Sequence, residues 1–258
     1  MTDAEFLGLR AVVTGGASGI GHAVAEAFLD RKATVAVLDL EPAGAPPGSL
    51  GIRADVTGDE SISAAIEEAA STLGGIDVVV NSAGIGAEGT IETNSLDTWC
   101  HVFDVNVLGV VRVMRSALAH LRRSPDAAVV NLCSIAATAG LPERAVYSAS
   151  KGAVLSLTMA MAADHVAEGI RVNCVNPGTV ETPWVGRLLD KAIDPVAERA
   201  SLAARQPTGR LVTAAEVAAA VLYLGGRAAG STTGTALPVD GGMSGLRLRR
   251  PHPLRGGE

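Results

Sequence analysis

The sequence predicts an α/β fold, one doubly wound domain over residues 1–258 built on a seven-stranded parallel sheet. Short β-branched runs alternate with longer Ala- and Leu-rich stretches, the pattern of strand–helix–strand units whose sheet is covered on both faces. A glycine cluster follows directly on the first β-branched run, where a strand must turn into a helix. The composition, 48% hydrophobic, 19% charged and 3% aromatic, excludes a disordered chain and points to an aliphatic core. At 258 residues the chain is near the upper size for one compact core.

Strands are expected over 11–14, 34–39, 51–54, 77–81, 128–132, 170–175 and 236–239, each short, β-branched and bounded by turn residues. Between them, 20–31, 60–73, 96–122, 146–167 and 214–224 carry apolar residues at three- and four-residue spacing and are expected to be helices. The segment 41–51, EPAGAPPGSLG, is expected to be a loop, because its prolines and glycines break a helix there. No repeat of fixed period occurs. The tail 243–258 is rich in Arg, Gly and Pro, a composition expected at a mobile end.

A net charge of −6 without a basic stripe argues against nucleic acid as a partner and for small molecules. No apolar run reaches the roughly 18 residues of a membrane span. Residues 1–10 carry Asp3 and Glu5 and do not read as a secretory signal, so a cytoplasmic location is expected. Cys100, Cys133 and Cys174 are odd in number and widely spaced, which predicts free thiols and no metal site.

After the first strand, TGGASGIG at 14–21 has the composition of a dinucleotide-binding turn. Gly15, Gly19 and Gly21 allow close backbone approach to a pyrophosphate, and the helix opening at Ser18 and Ile20 offers unpaired N–H groups to the anion. Asp39 ends the second strand 18 residues beyond Gly21, where a carboxylate accepts hydrogen bonds from the adenosine ribose. It repels a 2′-phosphate, and Ala17, Ser18 and Leu40 supply no cation to hold one, so NAD is expected rather than NADP.

Tyr147 and Lys151 stand four residues apart at the start of a predicted helix and so share a face. A cation beside a phenol favours the phenolate, which makes Tyr147 a candidate general acid/base. Ser134 ends the strand run VVNLCS at 129–134 and brings a hydroxyl to the carboxyl edge of the sheet, where doubly wound folds bind ligands.

With TGGASGIG at 14–21, NSAG at 81–84, Asn106, Ser134, YSASK at 147–151 and PG at 177–178, the chain resembles the short-chain dehydrogenase/reductase family along nearly its whole length. The resemblance implies a single Rossmann-type domain that moves a hydride between nicotinamide and a secondary alcohol or ketone carbon. It also implies an active site of Asn106, Ser134, Tyr147 and Lys151. In that scheme Ser134 holds the substrate oxygen, Tyr147 exchanges its proton, Lys151 binds the nicotinamide ribose and Asn106 positions a relay water. The resemblance further implies adenine contacts from Asp55 and Val56, a cofactor wall of Asn81, Ala83 and Gly84, and Pro177, Gly178, Val180 and Thr182 around the nicotinamide. Ser82 departs from the family's more usual second Asn.

The segment 179–206, where this family varies its substrate lid, holds Trp184, Arg187 and Arg205, and Arg144 lies three residues before Tyr147. Arginine forks match carboxylates, so convergence of these three arginines predicts a hydroxy acid or sugar-derived acid as substrate. The run VETPWVGRLL is similar to that of family members acting on hydroxybutyrate-like or deoxy-sugar acids. The helix 146–167 carries few charges on any side, and the family resemblance implies a homotetramer, or at least a dimer, built from it and 96–122. Two competing readings are an NADPH-linked ketoacyl-carrier-protein reductase, against which Asp39 counts, and a nonenzymatic NAD-binding sensor, which has no use for Tyr147 and Lys151.

Overall fold

The computed structural model describes residues 6–190 and 192–248. The end of the predicted tail, 249–258, lies outside the described residues.

Strand β1 (Arg10–Thr14) leads through the glycine turn into α1 (Gly19–Asp30), followed by β2 (Thr34–Asp39), β3 (Leu50–Arg53), α2 (Asp59–Leu73) and β4 (Val78–Asn81). The second half runs α3 (Leu96–Phe103), α4 (Gly109–Leu121), β5 (Ala128–Leu132), α5 (Ala145–His165) and β6 (Arg171–Pro177). A lid region of β7 (Val180–Glu181), α6 (Pro183–Asp190), α7 (Pro195–Ala204) and β8 (Val212–Thr213) precedes α8 (Ala214–Gly225) and β9 (Ala236–Val239).

The main sheet is parallel with seven strands in the order β3-β2-β1-β4-β5-β6-β9, as expected. Alternate residues of each strand feed opposite faces: Val13, Val37 and Val80 pack with α1 and α8, while Val12, Ala36 and Val79 pack with α2 and α4. That double burial explains why the strands read as unbroken apolar runs. The strand order reverses between β1 and β4, and a crevice opens there at the carboxyl edge. The proline-rich segment after β2 holds a single 3₁₀ turn, Pro42–Gly44, where a crossover helix would otherwise stand.

Two features differ from expectation. The stretch 96–122 is not one helix: α3 and α4 are separated by a π-helical turn, Asp104–Leu108. A single wide turn covers too few residues to interrupt an apolar spacing read over the whole stretch, so the sequence pattern does not register it. The lid also contains the parallel pair β7–β8, Val180↔Val212 and Glu181↔Thr213, too short to show alternation. Above it, Val185, Leu189, Leu202 and Leu211 form a separate small core.

Candidate active site and cofactor cleft

At the end of β1 the backbone is drawn against the loop that follows β4. Gly15 has φ +64°, and a Cβ there would lie 2.8 Å from the Ala83 Cα, so only glycine permits this approach. The Thr14 hydroxyl oxygen accepts the Ser82 and Ala83 N–H groups, both at 3.1 Å, fixing the two loops together. Ser18 caps α1 in extended conformation without a side-chain hydrogen bond, and no acid stands in the helix's first turn. The N–H groups and the positive helix end therefore face the cleft free for an anion.

The cleft encloses about 730 Å3. Asp39, Leu40, Asp55 and Val56 line one end, Gly15, Ser18, Gly19, Ile20 and Gly21 the middle, and Tyr147, Lys151, Thr182, Trp184 and Arg187 the other. Asp39 accepts the Ala17 N–H at 3.0 Å and the Glu41 N–H at 3.1 Å, which fixes its carboxylate at the rim. The Thr57 N–H and hydroxyl hold the Asp55 carboxyl below its ordinary range. An elongated cleft with a carboxylate at one end and a bare helix start in the middle suits a dinucleotide, and the residues present fit that group.

Tyr147 and Lys151 meet as their spacing requires, with Lys151 Nζ 5.8 Å from the Tyr147 ring centroid. Lys151 is 7% exposed, and its ammonium donates to the Leu132 carbonyl at 2.8 Å. Ser134 is buried just past the end of β5 and is not among the lining residues, and its Oγ accepts the Ala136 N–H at 3.1 Å.

Several expected site residues face elsewhere. The Asn81 amide turns into the sheet and donates to Asn131 Oδ1 at 2.8 Å, because the buried neighbour strand offers the partner that an exposed cofactor wall does not. Ala83 and Gly84 do line the cleft, whereas Pro177, Gly178 and Val180 are not among the lining residues; Gly178 packs against Gln206 and Asp240. The Asn106 amide is engaged by the Ile85 backbone and Ser150 rather than turned to the cleft. The three arginines do not converge. Arg144 pairs with Glu88 at 3.1 Å and donates to the Glu143 carbonyl, Arg205 is exposed at the end of α7, and Arg187 alone of the three lines the cleft.

Other lining residues went unnoticed in the sequence, among them Ile85, Gly86, His101 and Cys133. Gly86 carried a readable signal, a glycine two positions beyond NSAG. A Cβ there would come within 2.7 Å of the Trp184 indole, so the absence of a side chain seats the lid's tryptophan. His101 on α3 and Cys133 just past β5 give no such signal, since only the tertiary fold brings them to the cleft.

A family model described as enoyl-(acyl carrier protein) reductase matches residues 15–244. The 2-(S)-hydroxypropyl-CoM dehydrogenase 3 of Xanthobacter autotrophicus is 38% identical over 245 residues, covering 91% of this chain and 96% of that protein. The cis-4-hydroxycyclohexanecarboxylate dehydrogenase of Sinomonas cyclohexanicum is 39% identical over 245 residues with the same coverage, 91% and 96%. The ligand-free structure of Thermoplasma acidophilum aldohexose dehydrogenase has a TM-score of 0.90 and 32% identity, spanning 96% of this chain and 98% of that one. Matched over most of its length by dehydrogenases in both sequence and fold, the chain belongs to the short-chain dehydrogenase/reductase family and is an oxidoreductase of CH–OH groups.

Proposed function

We propose that the protein is an NAD-dependent dehydrogenase that interconverts a secondary alcohol and its ketone on a hydroxy acid or sugar-derived acid. One observation carries the reading: Tyr147 and Lys151 face a single cleft whose far end is closed by the Asp39 carboxylate. A carboxylate there accepts ribose hydroxyls and repels a 2′-phosphate. When bound, NAD supplies the acceptor for the carbinol hydride. Ser134 Oγ already accepts the Ala136 N–H, so its own proton is free for the substrate oxygen. Tyr147 takes the hydroxyl proton during oxidation and returns it during reduction. Lys151 spends one of its three N–H donors on Leu132 and keeps two for the phenol and the nicotinamide ribose.

The acidic substrate rests on Arg187, one helical turn from Trp184 on α6, both lining the cleft. It pairs an aromatic wall with a guanidinium, and the hydroxycyclohexanecarboxylate dehydrogenase among the relatives acts on a substrate of that description by its name. Exposed Met159 on α5, with exposed Leu108 just before α4 and Val166 just after α5, puts apolar side chains at the surface beside these helices, which supports a homotetramer. The free thiols Cys133 and Cys174 suit a reducing cytoplasm.

The test is a screen of hydroxy acids, sugar acids and polyols with NAD and NADP, followed by absorbance. We expect NAD to be favoured at least about tenfold, and Asp39→Ala to narrow that ratio; comparable turnover with NADP in the unaltered protein sinks the cofactor assignment. Arg187→Ala should raise KM for the best acid while kcat holds. An unchanged KM removes Arg187 from the substrate site.

A further inference from the structure

At the start of α5 a fully buried hydroxyl performs no step in the chemistry above. Ser150 is 0% exposed and sits between the two catalytic positions of its helix. Its Oγ donates to the Tyr147 carbonyl at 2.8 Å and accepts from Asn106 Nδ2 at 3.0 Å. The same Asn106 nitrogen donates to the Ile85 carbonyl at 2.9 Å, and Asn106 Oδ1 accepts the Ile85 N–H at 2.8 Å. Both amide protons and the amide oxygen of Asn106 are thus engaged in a chain that runs from the Tyr147 backbone to the loop following β4.

That loop matters to the cofactor and to Lys151 alike. A Cβ at Gly84 would lie 3.2 Å from Asn106 Oδ1 and 3.6 Å from Lys151 Nζ, so the loop passes close to both the amide and the ammonium. Asn106 stands in the π turn, a piece of backbone without a regular α-helical ladder to fix its side chain. Removing the Ser150 hydroxyl leaves one buried amide proton without a partner, and the amide then holds Ile85 through two hydrogen bonds with nothing bracing its far side.

We propose that Ser150 is a positioning residue: through Asn106 it locks the 84–86 loop against the Tyr147–Lys151 pair. The kinetic consequence rests on the functional reading above, whereas the structural consequence does not. Replacement by Ala removes the lock, replacement by Thr retains the hydroxyl, and Ser150→Cys keeps the volume with a weaker hydrogen bond should the alanine protein not fold.

The experiment measures two quantities on each variant of the full chain. Amide hydrogen exchange at Ile85 and Gly86, without cofactor or substrate, should accelerate about tenfold in Ser150→Ala, the effect of one buried hydrogen bond. Ser150→Thr should return it to the original rate. On the best alcohol found, kcat should fall about tenfold in Ser150→Ala and the midpoint of its pH profile should move, again restored by Thr, while Cys falls between. Unchanged exchange at Ile85 overturns the proposal whatever the activity. Faster exchange with kcat and pH profile both unmoved reduces Ser150 to a packing role and overturns it too. Absence of turnover in the unaltered protein counts against the functional reading instead, and the exchange measurement then decides the lock.

Discussion

Tyr147 and Lys151 owe their meeting to helix geometry alone: four residues on one face bring the ammonium to 5.8 Å from the ring. Tyr147→Phe should bind NAD nearly as before, measured by fluorescence titration, and lose about 10²–10⁴ in kcat, the usual contribution of a positioned acid/base. Near-normal turnover would refute the proton-transfer role. The thiols differ by place rather than by type. Cys100 is exposed, whereas Cys133, just past β5, and Cys174 on β6 are buried, and the hydrogen bond of Cys174 with Cys133, together with burial, pushes the Cys174 thiol up. A thiol reagent should therefore modify Cys100 of the native protein quickly and Cys174 only on unfolding, as mass spectrometry of the labelled chain will show. At this scale the sequence carried the Tyr147–Lys151 pairing but not the direction of each side chain. Arg144 illustrates the limit, since its turn toward Glu88 depends on a loop 56 residues away that no local pattern describes.

Elements were legible where burial was two-sided or periodicity long, as in the seven strands of the main sheet and in α1, α2 and α8. They were not where a few residues decide the geometry. The π turn between α3 and α4 places Asn106 opposite Ile85 and Ser150, and Arg112 braces it by pairing with both Asp104 and Asp59. The lid strands β7 and β8 hold two residues each, below the length at which alternation can be read. The lid's seating supplies a prediction of its own. Gly86 needs no left-handed backbone, but a methyl there meets the Trp184 indole at 2.7 Å. Gly86→Ala should push that ring off its seat and raise substrate KM several-fold. Because Trp184 is 45% exposed and free to swing outward, the melting temperature should stay within about 2 °C. An unchanged KM shows that Trp184 does not border the substrate.

Across the whole molecule the two ends of the sheet divide the labour. Function gathers at the carboxyl edge, and the opposite edge is held by an ion pair whose one clue in the sequence is a strand start. Asp77, 2% exposed, accepts from Arg10 Nε at 2.7 Å, the Arg10 terminal nitrogen at 2.6 Å, the Arg10 backbone N–H at 2.9 Å and Ser124 Oγ at 2.6 Å. One carboxylate thereby ties β1 and the approaches to β4 and β5 together. Burial by itself would raise the Asp77 pKa, but the hydrogen bonds from Arg10 and Ser124 outweigh it and hold the group below its ordinary value. A carboxyl whose folded pKa lies below its unfolded one stabilises the protein above the unfolded value of about 3.9. That contribution disappears as pH falls through the folded pKa. Asp77→Asn should cost about 2–4 kcal/mol at neutral pH, since it strips a buried pair of its anion and leaves Arg10 uncompensated. It should also flatten the decline of stability below about pH 4, because the titrating group is gone. Urea melts of both proteins from neutral pH down to about pH 3 measure the two effects together. Parallel curves, offset but equally steep in acid, would show that Asp77 binds its partners without governing acid unfolding.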